Sequence, residues 1–216
     1  MEIIHFAELR PQPWRNGGGV TRELATHPKA ASAQDGVWDW RVSIAEVSKA
    51  GDFSTFPGVE RVLTVIDGEL LVLNVDGKEY PLEKYRPFRF SGEAPSSSTL
   101  PTGDIRDLNV MTRDGAFKGY TSIVELSKKR PQPVFGGQLA VLLEGQASVV
   151  PGAVEAASDV DTPADSAAGT AAEIAPAEPV ALDRYDAVVG SEVGTPEITG
   201  RGFIAIISID PVGPAH

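Results

Sequence analysis

The sequence predicts an all-β protein made of two similar halves, each an antiparallel β-barrel or jelly roll. Three observations lead to this fold class: polar and apolar residues alternate in several segments, Asp-Gly pairs separate apolar runs, and a weak internal repeat divides the chain. No long segment has helical periodicity, and residues 20–25 are expected to form at most one helical turn.

Alternation identifies two strands with polar faces. In residues 38–47, one face carries Trp38, Trp40, Val42 and Ile44, and the other carries Asp39, Arg41, Ser43 and Ala45. In residues 107–111, DLNVM, Asp107 and Asn109 share one face. Successive side chains of a strand point to opposite faces, so each of these strands is predicted to present polar groups on one side.

Asp-Gly pairs indicate tight turns between apolar strands. Residues 62–66, VLTVI, are followed by Asp67-Gly68, and the next apolar run is followed by Asp76-Gly77. A type I′ turn needs a positive φ at both central positions, which Asp-Gly pairs adopt readily. Two β-hairpins are therefore predicted.

A weak internal repeat supports the two halves. The matching segments, in chain order, are residues 63–73 with 139–150, 81–88 with 181–188, and 103–111 with 200–209. The repeat predicts an N-terminal half, residues 1–130, and a C-terminal half, residues 131–216. A duplicated barrel of this size suggests a cupin.

Residues 151–179 differ in composition from the rest of the chain. They contain six acids, no Lys or Arg and no aromatic residue, and they are rich in Ala and Pro. Such a segment buries too little apolar surface to offset the entropy lost on ordering. It is predicted to be a disordered acidic insertion, and a passive loop is favoured over a docking segment.

Composition and charge exclude several classes of partner. The net charge of −11 argues against a nucleic-acid surface, which needs clustered Lys and Arg. The absence of cysteine excludes disulfides and thiolate metal sites. No apolar run approaches the ~20 residues of a membrane span, so a cytoplasmic protein without a membrane partner is predicted. Barrel edges and apolar sheet faces commonly pair, which allows a homodimer.

The sequence contains no motif typical of metal-dependent or nucleophilic catalysis. The three histidines, His5, His27 and His216, have no spacing that suits a metal site, so no metal or other cofactor is predicted. No Gly-x-Ser-x-Gly elbow is present. Whether the protein is an enzyme stays open, with no catalytic residue assigned and with Glu23, Glu46 or Asp107 available for metal-free acid–base chemistry.

The segment PWRNGGGVTREL contains three consecutive glycines. It lacks the Lys-Ser/Thr pair of a phosphate-binding P-loop and the spacing of a dinucleotide fingerprint. The glycines allow either a turn or the close approach of a backbone or ligand. Asn16, Thr21 and Arg22 supply hydrogen-bond donors at such an approach.

Four segments together resemble one known family. They are PWRNGGGVTREL, WDWRVSIAEVSKAGDFSTFPGVERVLTVIDGELLVL, PFRFSGE and GDIRDLNVMTRDG, and their resemblance to the HutD/Ves family of bicupin proteins is dense over residues 9–115. The resemblance implies a bicupin fold that lacks the metal-binding histidines of many cupins. Members are associated with bacterial histidine utilisation, in sensing or buffering an intermediate such as urocanate or formylglutamate. Another branch is linked to stress responses.

Polar side chains on inward strand faces are expected to line a pocket, because an unpaired buried polar group costs about 1–3 kcal/mol. A small carboxylate suits the planar guanidinium of Arg41 or Arg61. Arg61 is expected either at a barrel mouth, with Phe53 and Phe56 as apolar walls, or at the surface.

Arg41 has an alternative role in an internal salt bridge to Asp107 or Glu23. The candidate ligand-binding residues are Asn16, Thr21, Arg22, Arg41, Ser43, Phe56, Arg61, Asp107 and Asn109, with the loop backbone of Gly17, Gly18 and Gly19. Three hypotheses follow: a non-catalytic protein that binds a small anionic metabolite, which is favoured; a metal-independent enzyme that acts on a small carboxylic acid; and a purely structural protein.

Overall fold

The computed structural model describes residues 1–28, 38–152 and 178–213. Apart from its two ends, the insertion predicted at 151–179 lies outside the described residues. Within them, the regular structure is β-strand except for one 3-10 turn, Phe6–Glu8.

The first part of the chain forms twelve strands. They are β1 (Glu2–Ile4), β2 (Gln12–Pro13), β3 (Gly19–His27), β4 (Trp40–Val47), β5 (Gly51–Asp52), β6 (Val59–Asp67), β7 (Leu70–Val75), β8 (Lys78–Glu83), β9 (Phe88–Ser91), β10 (Ser96–Thr99), β11 (Ile105–Arg113) and β12 (Phe117–Leu126). The remaining strands are β13 (Gln132–Pro133), β14 (Gln138–Val150), β15 (Val180–Leu182), β16 (Ala187–Val189) and β17 (Glu197–Pro211). Residues 20–25, for which at most one helical turn was expected, form no helix and pair with β4 as part of β3.

The strands form three antiparallel sheets. A six-stranded sheet has the order β2-β3-β4-β11-β6-β9, and a four-stranded sheet has the order β5-β10-β7-β8. These two sheets pack face to face around an apolar core that includes Leu63 and Val65 from one and Leu71 and Leu73 from the other. The third sheet has the order β1-β16-β14-β17-β12, with β13 and β15 at its side, and forms the second half.

One of the two predicted hairpins is confirmed. β7 and β8 pair antiparallel across Asp76 and Gly77, whose φ angles are 52° and 80°. The hairpin at Asp67-Gly68 is wrong. Gly68 does turn the chain with a φ of 79°, but β6 pairs with β9 and β11 in one sheet, whereas β7 pairs with β8 and β10 in the other. The dipeptide therefore moves the chain between the two layers of the barrel.

The alternation in β4 and β11 is confirmed, and both of its faces are buried. The apolar face packs in a core shared by the two halves, with Val42, Ile44, Leu108 and Val110 against Leu139, Val141, Ala205 and Ile207. The opposite face, which holds the polar residues, looks into the N-terminal barrel.

The internal repeat is visible in the hydrogen bonding. Tyr85 and Tyr185 have the left-handed φ angles of 67° and 74°. The Tyr85 N–H donates to Val65 O over 2.8 Å, and the Tyr185 N–H donates to Leu142 O over 2.7 Å. The two tyrosines thus occupy equivalent corners of the two halves.

The halves also hold one another reciprocally. The Tyr85 hydroxyl bonds to Glu144 in the second half over 3.1 Å, and the Tyr185 hydroxyl bonds to Asp67 in the first half over 3.2 Å. Strands of the first part of the chain also pair with strands of the second: β1 pairs with β16, and β12 pairs with β17. The division of the chain at residue 130 stays a prediction.

Candidate functional site

Three adjacent strands of the six-stranded sheet carry the polar face of the N-terminal barrel. In the register of β4, β11 and β6, Met111 lies opposite Arg41 on one side and Arg61 on the other. Asn109 lies opposite Ser43 in the next inward-facing row. Because inward side chains recur every second residue, these rows form a continuous polar floor at one end of the barrel.

The floor belongs to a cavity of about 410 Å³. Its walls come from residues 12–16, which begin with β2, and from residues 52–56, which begin at the end of β5. The Trp14 and Phe53 rings meet edge to face, with centroids 6.1 Å apart, and give the wall an aromatic surface. The cavity therefore combines an apolar wall with a charged floor.

Arg61 is the central cation of this floor. Its side chain is 5% exposed, so the alternative of a surface arginine is wrong. The guanidinium lies over the rings of Phe53, Phe56 and Phe90, at 5.4, 5.6 and 5.0 Å from their centroids. Burial lowers the pKa of Arg61 to about 10, which still leaves it charged at neutral pH.

Asp107 is the buried acid of the same cavity. It is 1% exposed, and burial raises the pKa of its carboxyl group to about 7, although the charge of Arg61 acts in the opposite direction. Its neighbour on the same face of β11, Asn109, is also buried. At neutral pH the Asp107 carboxyl therefore exists in both protonation states.

Three polar atoms of this cavity are buried without a hydrogen-bond partner in the described part of the chain: Arg61 Nε, Asp107 Oδ1 and Asn109 Oδ1. Leaving such atoms unpaired costs about 1–3 kcal/mol each, so native proteins rarely bury them without a use. The three residues that carry these atoms all line the cavity.

Arg41 is already partnered. Its Nε donates to Glu23 Oε2 over 2.8 Å, which confirms the internal salt bridge to Glu23. Glu23 therefore balances the charge of Arg41, whereas the acid that acts on Arg61 is Asp107.

The glycine loop positions an aromatic wall of the cavity. Gly17 has a φ of 65°, and its N–H donates to Trp14 O over 3.0 Å in a tight turn. A Cβ on Gly19 would lie 2.5 Å from Glu46 O and 3.1 Å from the Trp14 ring. The Trp14 indole donates to Thr21 Oγ1 over 2.8 Å. Gly17, Gly18 and Gly19 lie outside the cavity lining and hold Trp14 against it.

Arg22 also lies outside the cavity. It follows Thr21 on β3 and points to the opposite face, where it bonds to Glu46 and covers the Phe6 ring at 5.1 Å. Its position therefore does not support its predicted contact with a ligand in this cavity. The predicted residues that the structure brings together in the lining are Asn16, Thr21, Arg41, Ser43, Phe56, Arg61, Asp107 and Asn109.

Several lining residues were not among the predicted site residues. They are Gln12, Pro13, Trp14, Arg15, Ala45, Asp52, Phe53, Ser54 and Met111. Ala45 and Met111 follow from the alternation of β4 and β11, and Phe53 was expected as a wall of Arg61. The loop residues carry no sequence signal that places them over the barrel mouth.

The equivalent positions of the second half carry no charge. Gln138 lies opposite Ser208 in the register of β14 and β17, as Arg61 lies opposite Met111 in the first half. The Gln138 amide donates a hydrogen bond to Ser208 Oγ over 3.0 Å. Ile204 and Ile206 pack in an apolar core where the first half has Asp107 and Asn109. The unpaired polar groups are therefore a property of the N-terminal barrel.

Other classes of site have little support in the described ranges. No group of three or more His, Asp or Glu side chains in residues 1–28, 38–152 and 178–213 is arranged to hold a metal ion. No helix in these ranges is long and apolar enough to cross a membrane. The predicted homodimer stays a prediction.

Comparison with known proteins identifies sequence relatives. A family model described as HutD matches residues 6–202. Protein Ves from Citrobacter koseri is 36% identical over 127 residues, which are 58% of this chain and 64% of that protein. A 21.2 kDa protein of Pseudomonas putida, described by its place in the hutC 3′ region, is 38% identical over 112 residues, 51% of this chain and 57% of that protein. The chain thus spans less than two thirds of the length of either relative.

Solved structures share the whole fold. HutD from Pseudomonas fluorescens SBW25, determined in a formate condition, has a TM-score of 0.70 at 25% identity and covers 98% of this chain and 99% of its own. Cupin barrel proteins are among the more distant neighbours, which share the fold alone. The predicted bicupin fold, with two antiparallel barrel halves, is confirmed.

Proposed function

The chain belongs to the HutD family, and from this premise we propose that it is a non-catalytic binding protein whose N-terminal barrel holds a small carboxylate metabolite. The family connects it with histidine utilisation, so acids of the urocanate and formylglutamate type are the first candidates. The observation that carries the proposal is the set of unpaired buried polar atoms around Arg61 in a cavity of about 410 Å³.

The chemistry of the cavity suits such an acid. A carboxylate can accept two hydrogen bonds from one guanidinium, and charge-assisted hydrogen bonds are about twice as strong as neutral ones. The rings of Phe53, Phe56 and Trp14 offer apolar faces to a flat chain or ring. The side chain of Asn109 also lines the cavity and can hydrogen-bond a polar group elsewhere on the ligand.

The contribution of Arg61 can be tested with a matched pair of arginine variants. Arg61→Met removes the cavity cation and keeps an apolar side chain against the phenylalanines. Arg22→Met removes the same charge from the opposite face of the sheet. Losing a charge-assisted hydrogen bond of about 1.5–3 kcal/mol predicts that Arg61→Met weakens binding by roughly 10- to 100-fold.

The measurement is isothermal titration calorimetry with urocanate, formylglutamate and formate, supported by melting temperatures. Arg22→Met is expected to bind as the wild type does. The proposal fails if none of the acids gives heat or shifts the wild-type melting temperature, or if Arg61→Met binds normally. The acid should be recovered unchanged after incubation, whereas conversion that Asp107→Asn abolishes would favour the metal-independent enzyme.

A further inference from the structure

We propose that the N-terminal cavity takes up its anion together with one proton, which is held by Asp107, so that the site selects monoanions over dianions. This inference rests on the proposed function and adds the charge state of the bound complex. Its geometric basis is a fully buried carboxyl in the same cavity as Arg61, with Oδ1 left without a hydrogen-bond partner in the described part of the chain.

The charged groups around Asp107 define its response to an anion. Those that line the cavity are Arg15 and Asp52 on the wall loops, Arg41 on β4 and Arg61 on β6. Glu23 on β3 pairs with Arg41, and this ion pair is neutral as a whole. The attraction that favours the ionised form of Asp107 comes from Arg61.

An anion bound at Arg61 changes this balance. It neutralises the cation that stabilises the Asp107 carboxylate, and it places a second negative charge beside a carboxyl group that is buried. Two neighbouring carboxylates in such a site cannot both stay ionised, so the pKa of Asp107 rises from about 7 to well above neutral. The protonated carboxyl can then donate a hydrogen bond to the anion.

Linkage turns this into a pH dependence of binding. Below pH 7 Asp107 is already protonated, so the anion binds without proton uptake. At pH 8 Asp107 is mostly ionised in the free protein, and binding must draw a proton from solvent. Affinity is therefore expected to fall by about tenfold from pH 6 to pH 8. A dianion brings a second charge that this proton does not neutralise, so it binds more weakly. Of the two candidate acids, formylglutamate is a dianion at neutral pH, and it is therefore expected to bind more weakly than urocanate.

Formate is the probe, because it is small and stays fully ionised between pH 6 and pH 8. At each pH, calorimetry in two buffers whose ionisation enthalpies differ, Tris and HEPES at pH 8 and imidazole and MES at pH 6, counts the protons exchanged. We expect close to one proton taken up per formate at pH 8 and almost none at pH 6. Oxalate, a dianion of similar size, should bind more weakly than formate at both pH values.

Two variants complete the test. Asp107→Asn keeps the shape without the titration, so it should bind formate equally at both pH values and take up no proton. Asp39→Asn removes an acid outside the cavity, where Asp39 pairs with Arg113 over 2.8 Å, and should keep the wild-type pH dependence.

Formate affinity that does not change with pH, absence of proton uptake at pH 8, or preference for oxalate would each overturn the inference and leave the proposed function intact. Formate that fails to bind at pH 6 while a larger acid binds would also overturn it. If no acid binds at any pH, the proposed function itself fails.

Discussion

At the scale of single residues, Asp107 and Arg61 are placed at a cost to stability. A buried ionisable group is tolerated when it is paired or hydrogen-bonded, and here Arg61 Nε and Asp107 Oδ1 both lack a partner among the described residues. The equivalent residues of the second half show the less costly solution, with Ile204 packed in an apolar core and Gln138 bonded to Ser208. The contrast supports the proposal that the first barrel uses its charges for binding.

This cost predicts how Asp107→Asn changes stability with pH. The pKa of Asp107 is raised to about 7 in the folded protein, above its value of about 3.9 in unfolded chains, so the folded state binds this proton more tightly. The contribution of Asp107 to the free energy of unfolding is therefore fully present below pH 4 and is lost as the pH rises towards 7.

Asp107→Asn removes that loss. Its free energy of unfolding, relative to the wild type, is expected to rise by roughly 2–3 kcal/mol between pH 5 and pH 8. Urea denaturation of both proteins at the two pH values measures this change. Any effect of the substitution that is the same at both pH values cancels in the comparison. A difference that stays constant with pH would show that Asp107 is not held with a raised pKa.

At the scale of elements, the sequence predicts strand faces better than strand partners. The alternation of β4 and β11 places Asp107 and Asn109 on one face because a strand has a period of two, whatever its neighbours are. Asp67-Gly68 reports a turn but not the sheet that the next strand joins, so its hairpin prediction fails. The prediction that Arg22 contacts the ligand fails for another reason. The glycine-rich segment shows no clear strand alternation, so the sequence did not assign Thr21 and Arg22 to opposite faces.

The loops over the cavity could not be predicted for a related reason. Residues 12–16 and 52–56 come together only because β2 and β5 lie in different sheets of the same barrel. Their approach depends on contacts between residues distant in sequence, which local patterns do not encode. The three glycines signalled that something packs closely, but not that it is Trp14.

The glycine loop gives a prediction that separates two roles of glycine. Gly19→Ala would place a Cβ 2.5 Å from Glu46 O and 3.1 Å from Trp14, so the tryptophan or the strand must move. We expect a loss of about 1–3 kcal/mol in stability and weaker anion binding, because Trp14 forms part of the cavity wall.

Gly17→Ala is the matched control. Its Cβ would meet nothing within 4 Å, but the residue has a φ of 65°. A cost of about 1–2 kcal/mol from the left-handed backbone is expected, with binding unchanged. Urea denaturation and calorimetry with formate distinguish the variants, and equal binding by both would remove the proposed role of Gly19 in placing Trp14.

At the scale of the whole molecule, the two halves are interleaved. β1 and β12 come from the first part of the chain and pair with β16 and β17 in the second. One apolar core contains Ile44 and Leu108 as well as residues of β14 and β17. Each half therefore buries part of its apolar surface only against the other.

This arrangement predicts that the protein unfolds in a single cooperative transition. A chain of residues 1–130 alone would leave β1 and β12 without their partners and expose the shared core, so it is expected to be unfolded or aggregated. Differential scanning calorimetry of the full chain should give a calorimetric enthalpy equal to the van't Hoff enthalpy, and circular dichroism should report the state of the fragment. Two separate transitions, or a fragment with a cooperative melt, would instead establish that the halves fold independently and that the division at residue 130 marks a true domain boundary.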